Sequence, residues 1–564
     1  SGWRAAQDGS SAAGVPAPAD RAAPPGRAEA PRGPFHFTDV TREAGLAGVS
    51  VLSGRPGKDH LLDSAGTGAA FLDFDRDGRL DIYLVNGWRL EGAAVADRGR
   101  NALYRGRPDG TFEDVTGKAG VSGEGRWGSG VAAADQDGDG WTDLLVTNFG
   151  PNLLYRNRRD GTFEDVAARV GIAAPGWNTG AAFFDADADG DLDVYIAAYI
   201  DCTLDDVLRA QRTLDWKSLE KVAAGPFGMK GAADHFFRAE PGGRFVDVTV
   251  AAGFEDRALA FGFAVRAADF DGDGDQDVFV ANDSDANYYF RNEGGGRFQE
   301  LGLLAGCALN AAGSAQASMG VAAGDVNGDG HLDLFITTFA EDTSTLHRGL
   351  GNGLFEDVSA AWGLVQPTYV PLSWGAALAD FDLDGDLDLA VANGHIYPQV
   401  DRHPQVNQTY AQRNTIFENR GQSFADVTAA AGPGFEMVRS SRGLAAGDYD
   451  QDGDVDLLYT SLDTPPALLR NDGRPGSWLT VVLEDAAGPL SVVGARVTVT
   501  AGGKTQRRDV AAGDSYMSTH DPRPHFGLGG AERVERVEVR WPDGGVTEVR
   551  DVSARQFLKV RRKR

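Results

Sequence analysis

Seven times along its 564 residues the chain repeats one nine-residue acidic pattern that runs into an apolar stretch. The pattern first appears as DFDRDGRLD from Asp73 and returns as DQDGDGWTD from Asp135, DADADGDLD from Asp185 and DFDGDGDQD from Asp269. It then recurs as DVNGDGHLD from Asp325, DFDLDGDLD from Asp380 and DYDQDGDVD from Asp448. Positions 1, 3 and 5 carry oxygen side chains, position 6 is Gly and position 9 is Asp. Carboxylates crowded into so short a turn repel one another unless a cation holds them. The intervals of 62, 50, 84, 56, 55 and 68 residues are too long for a hexapeptide or nonapeptide β-helix.

Hard oxygen donors at alternate positions, a Gly for the tight turn and a backbone carbonyl at position 7 are what calcium requires. The expected ligands are Asp73, Asp75, Asp77, Arg79 and Asp81 in the first turn and Asp135, Asp137, Asp139, Trp141 and Asp143 in the second. The third and fourth offer Asp185, Asp187, Asp189, Asp191 and Asp193, then Asp269, Asp271, Asp273, Asp275 and Asp277. The fifth offers Asp325, Asn327, Asp329, His331 and Asp333, and Asn327 is the one amide among the side-chain donors. The last two offer Asp380, Asp382, Asp384, Asp386 and Asp388, then Asp448, Asp450, Asp452, Asp454 and Asp456. The position-7 residue contributes its carbonyl in each case. An EF-hand would place a bidentate Glu at position 12, where this chain has Leu84, Val146, Ile196, Val280, Ile336, Val391 and Tyr459. A β-run follows every turn, so each is a strand–turn–strand unit and up to seven structural calcium ions are expected. Seven ions would halve the formal charge of −28, which makes the acidity metal chemistry and excludes nucleic acid as a partner.

Each unit holds two more strands. A pair joined by a Gly turn follows, as in NALYRGRPDGTFEDVT and NLLYRNRRDGTFEDVA. A Gly stands five residues before the first Asp at Gly68, Gly130, Gly180, Gly320, Gly375 and Gly443, with Ala264 in the fourth unit. Small residues there suit an innermost strand crowded at an axis. The order A, calcium turn, B, long loop, C, Gly turn, D describes a propeller blade. The seventh unit lacks strand D, and a spare copy, FHFTDVT, stands at residues 35–41, so the N-terminal strand is expected to complete the last blade.

These units resemble FG-GAP or VCBS repeats. WLTVVLE, SVVGARVTVTAGG, HFGLGG and VEVRWPDG resemble the ASPIC/UnbV domain, and with NGHIYPQVD and SRGLAAGDYD they place the chain near bacterial relatives of cartilage acidic protein. The expected organisation is all-β: an Ala/Pro/Gly-rich tether at 1–34, a seven-bladed calcium-binding β-propeller at 35–472, and a small β-sandwich-like ASPIC/UnbV domain at 473–564. The tether and a start without Met fit an exported protein, whether secreted, periplasmic or at the cell surface. No apolar run is long enough to span a membrane. Cys202 and Cys307 are left open between paired and free.

The blade order puts the calcium turns on one face and the long B–C loops on the other. Two of these are long, 201–234, where a short amphipathic helix is expected, and 393–414. The second carries His395, Tyr397, Asp401, Arg402, His403, Tyr410 and Arg413, a candidate pocket for a protein or glycan ligand. Trp127, Trp177 and Trp374 are expected toward the same face or the channel mouth. HExxH, CxxC and GxSxG are all absent, so a ligand-binding or adhesion protein is the leading expectation. Fold analogy supplies the alternative, a propeller enzyme such as a polysaccharide lyase or dehydratase, with Tyr397, His395 and Arg413 as base and charge stabiliser.

Overall fold

The structure, a computed structural model, describes residues 34–209, 212–254, 259–484 and 492–562. The expected tether therefore lies outside the described residues except for Pro34.

Apolar runs on both sides of each acidic turn, buried along their length, form the inner strands of seven four-stranded antiparallel sheets in the order A-B-C-D. The first comprises Ala69–Leu72, Asp81–Leu84, Ala102–Gly106 and Phe112–Asp114. The seventh has Ser441–Gly447, Asp456–Ser461 and Ala467–Asn471, and its outer strand is Phe37–Asp39, with Phe37 opposite Asn471. The A strands pack on one another in cyclic order, and the seventh meets the first. Sheets four and five are also joined edge to edge where Asp283 pairs with Ala317.

The small residue ahead of each turn has a measurable cause. A Cβ on Gly130 would stand 2.8 Å from Thr179 O of the next sheet, and one on Gly320 would stand 2.2 Å from Trp374 O. The A strands bulge there, and Thr147 and Thr337 accept the freed Gly N–H while their hydroxyls donate to those same carbonyls. At the rim, Asn157, Asn292, Asn419 and Asn471 each donate a side-chain N–H to the second residue of the preceding sheet's acidic turn, Phe74, Ala186, Val326 and Phe381, at 2.8 Å. Asn292→Ala strands the buried Ala186 carbonyl and should cost about 1–3 kcal/mol, read as a lower denaturant midpoint.

The C-terminal chain forms two further sheets. One joins Trp478–Glu484 to His525–Gly527 and Gln556–Arg561, and the other orders Lys504–Asp509, Arg496–Ala501, Arg533–Arg540 and Val546–Ser553. Between them lie Val481, Val497, Phe526, Val537 and Trp541. These sheets cover the acidic-turn face of the ring. Arg496 pairs with Asp269 at 2.8 Å, Lys504 with Asp386 at 2.7 Å, and Arg507 donates to Gly330 O at 2.8 Å.

Residues 510–521 leave this domain as a loop, enter the centre of the ring and return. Phe183 N donates to Ala512 O, Val321 and Ser515 exchange two backbone bonds, Val131 N donates to Met517 O, Thr519 N to Ala69 O and Asp521 N to Ala446 O, all at 2.8–3.1 Å. Asp514 pairs with Arg266 at 2.9 Å, and Ser515 Oγ accepts Ala376 N at 3.1 Å. All seven A strands therefore bond to this one plug. At its tip Tyr516 is fully buried, donates to Ala65 O at 3.0 Å, and packs on Trp374 and Phe263.

Candidate metal turns and the loop-built face

The acidic turns fold through their own carboxylates. The position-1 Asp accepts backbone N–H groups across the turn, as when Asp77 N and Gly78 N donate to Asp73 at 3.1 and 2.9 Å. The position-5 Asp accepts the N–H of position 7, as from Arg79 N to Asp77 at 3.0 Å. Positions 4 and 6 are left-handed in every copy, for example Arg76 (φ 59°) and Gly78 (φ 87°) in the first turn and Gln451 (φ 63°) and Gly453 (φ 98°) in the seventh. The most open backbone falls at position 6, where Gly meets no steric penalty.

Position 9 has a second task. In the first unit Asp81 accepts Phe74 N at 2.9 Å from the turn and Gly106 N at 2.8 Å from strand C. Asp143, Asp193, Asp277, Asp333, Asp388 and Asp456 repeat this pairing, which pins turn to sheet.

Several turns gather three carboxylate oxygens within 4.8 Å of one another: Asp73, Asp75 and Asp81; Asp135, Asp137 and Asp143; Asp185, Asp187 and Asp193; Asp269, Asp271 and Asp273; Asp380, Asp382 and Asp388. Buried oxygens of Asp75, Asp185, Asp187, Asp448 and Asp450 have no hydrogen-bond donor. Burial, with neighbouring carboxylates adding to it, pushes Asp81, Asp143 and Asp193 up to about 8 and Asp333 up to about 7. It raises Asp277, Asp388 and Asp456 well above the ordinary carboxylate range. Part of the missing charge comes from strand C, where Arg105 reaches Asp75 at 2.6 Å and Arg156 reaches Asp137 at 2.5 Å. Orphaned, converging, all-oxygen donors fit a hard metal ion, so these groups could each hold one.

On the opposite face, the long loops form a hairpin at Trp88–Glu91 and Ala94–Arg98, the helix Leu204–Arg209, a hairpin at Thr213–Trp216 and Glu220–Ala223, and the 393–414 segment. Trp127, Trp177 and Trp374 lie there, buried in an aromatic cluster beneath the loops with Tyr516. The candidate ligand residues are dispersed. His395 is fully buried, accepts Tyr397 N at its Nδ1 (3.0 Å), and is driven down to about 3 by burial and then by Arg442. Tyr397 is buried and donates to Ala223 O at 3.1 Å. Asp401 accepts Tyr410 N at 2.8 Å, while Arg402 and His403 approach Glu220 at 3.3 and 3.5 Å. Arg413 is exposed, in a short pair with Val438.

Some members of this face carry no motif. Arg442 is fully buried under Trp374, its guanidinium 4.0 Å from the ring, and it donates to Ser64 O, Gly394 O and Ser441 O. It clamps strand A of the seventh sheet to two loops. The arginine stood in SRGLAAGDYD, a string read only as a resemblance. Cys202 and Cys307 are free, and burial pushes the Cys202 thiol up to about 12.

The FG-GAP-like repeat model matches residues 93–146, 135–196, 269–336 and 325–391, and the ASPIC and UnbV model matches 487–564. Cartilage acidic protein 1 of Xenopus tropicalis is 25% identical over 85% of this chain and 70% of its own length. The Homo sapiens protein is 25% identical over 87% of this chain and 71% of its own. Among solved structures, an Agrocybe aegerita lectin that recognises non-reducing terminal N-acetylglucosamine matches 64% of this chain and 79% of its own, at 17% identity and a TM-score of 0.34, too loose a likeness to carry an argument. The chain is thus an FG-GAP-repeat protein with an ASPIC and UnbV domain, homologous to cartilage acidic protein 1 at about 25% identity over most of its length.

Proposed function

We propose that the protein is an exported, calcium-stabilised propeller that binds a protein or glycan ligand, or adheres through one. In this reading the seven sheets are the blades of one propeller spanning 35–472, and 473–564 is the ASPIC/UnbV-like domain. Calcium is favoured among hard cations because each turn offers several carboxylates and a position-7 carbonyl in a flexible backbone, whereas magnesium keeps its waters and suits sparse donor sets. The observation that carries the ligand-binding reading is the asymmetry of the ring. Its acidic-turn face is covered by the chain's own C-terminal domain, its centre is plugged by 510–521, and the long inserted loops converge on the remaining face. Rigid scaffolds present recognition groups on such loops. Arg402, His403, Glu220 and Arg413 are the solvent-accessible polar members, and His395 and Tyr397 support them from beneath.

The test is a binding screen against extracellular glycans and proteins in millimolar calcium, repeated with Arg402→Ala and Arg413→Ala. A ligand found this way should lose about tenfold or more in affinity in at least one variant. Undiminished binding to both variants would move the site off this loop.

A further inference from the structure

The loop-built face contains a buried carboxylate that no cation among the described residues pairs with. Asp283 lies near the end of strand B of the fourth sheet (Asp277–Asp285), is 6% exposed, and lines a pocket with Tyr199, Phe263, Phe339, Trp374 and Tyr397. Its Oδ2 accepts the Tyr199 hydroxyl at 2.5 Å and its Oδ1 accepts the Ser284 hydroxyl at 2.7 Å. Among the described residues no Arg, Lys or His forms an ion pair with it, and the charge acting on it is another carboxylate, Asp285. Burial pushes Asp283 up to about 6, and the two hydroxyl bonds act against that rise. Arg442, the nearby buried cation, stacks on Trp374 and spends its N–H groups on backbone carbonyls.

A buried charge left unpaired is costly, and both hydroxyl bonds offset only part of that cost. Six aromatic residues line the pocket beside aliphatic ones, and ring quadrupoles attract a weakly hydrated cation. Gly225, Pro226 and Phe227 also line the pocket, whose cavity volume is about 40 Å³. Its floor is kept in place by the plug, since Tyr516 packs on both Trp374 and Phe263.

We propose that this pocket binds an organic cation, an alkylated ammonium group, with Asp283 as its counter-charge and the surrounding rings as its walls. The site rests on the reading of this face as a ligand-binding surface and names the chemistry that one part of that surface selects.

The test is calorimetric titration of the full chain at pH 7.5 with choline and with 3,3-dimethylbutan-1-ol, its neutral isostere. Choline should bind about tenfold or more tightly than the alcohol. Asp283→Asn should remove that preference while the melting temperature holds or rises, because an unpaired buried charge has gone. Should Asp283→Asn fold poorly, Phe339→Leu, which keeps apolar bulk but removes a ring, should weaken choline and spare the alcohol. Equal affinities for the two probes, or binding of neither, would overturn the proposal. A glycan or protein ligand that binds this face regardless of saturating choline would leave the wider reading standing while this site falls. Choline binding with no macromolecular ligand would do the reverse.

Discussion

Stripping divalent cations with EDTA at pH 8 should lower the melting temperature by roughly 10–20 °C, and calcium should restore it. The magnitude follows from mass action. A site of 10⁻⁴ M affinity in 10 mM calcium adds about 2.7 kcal/mol, and several such sites together are comparable with the ~5–15 kcal/mol stability of ordinary domains. Proton linkage gives the result a second signature. Without metal, Asp81, Asp143 and Asp193 are pushed up to about 8, far above the ordinary value of 3.8. A carboxyl that holds its proton more tightly when folded contributes stability below its unfolded pKa and loses it as pH climbs through the folded value. The metal-free protein should therefore melt higher at pH 5.5 than at pH 8.5. In calcium the order should reverse, because metal and protons compete for the same oxygens. A melting temperature indifferent to EDTA at both pH values would remove the structural role assigned to these turns.

The second large effect concerns the plug. A Cβ on Gly68 would stand 1.6 Å from Met517 O and 2.5 Å from its carbonyl carbon, and both are backbone atoms. Gly68→Val cannot be absorbed by rotating a side chain. The plug must withdraw, breaking Val131 N to Met517 O and Thr519 N to Ala69 O. The expected loss is about 4 kcal/mol or more, above the ordinary range for single substitutions. Limited proteolysis should then cut the chain between the ring and the C-terminal sheets, where the parent protein resists. Gly117→Ala is the control, because a Cβ there meets nothing within 4 Å. Equal resistance in both variants would mean that the plug does not hold the two parts together.

Much of the ring was legible because its signals are local. Nine residues specify each acidic turn, and the apolar run after it specifies strand B. The second role of Asp81 was hidden because its partner Gly106 lies a loop away, and only the sheet brings it close. Residues 510–521 show no periodicity, and their bonds are to backbone atoms hundreds of residues distant, so nothing in VAAGDSYMSTHD marks a plug. His395 and Tyr397 looked like surface groups because the segment around them is polar. Arg442 and the 213–223 hairpin bury them, and neither is near them in sequence.

The seam between Phe37–Asp39 and Ala467–Asn471 bears on how the molecule comes to exist. Thr38 donates to Asp472, 434 residues further along the chain. Contacts of such separation close slowly, because the entropy of the intervening loop is lost before any bond forms. During synthesis the first strand has no partner until the seventh unit has been made, and every shorter product carries an open sheet edge. Refolding from denaturant should accordingly be slow, with its yield falling as protein concentration rises. That seam is also the place where an unfinished ring would capture another copy of itself.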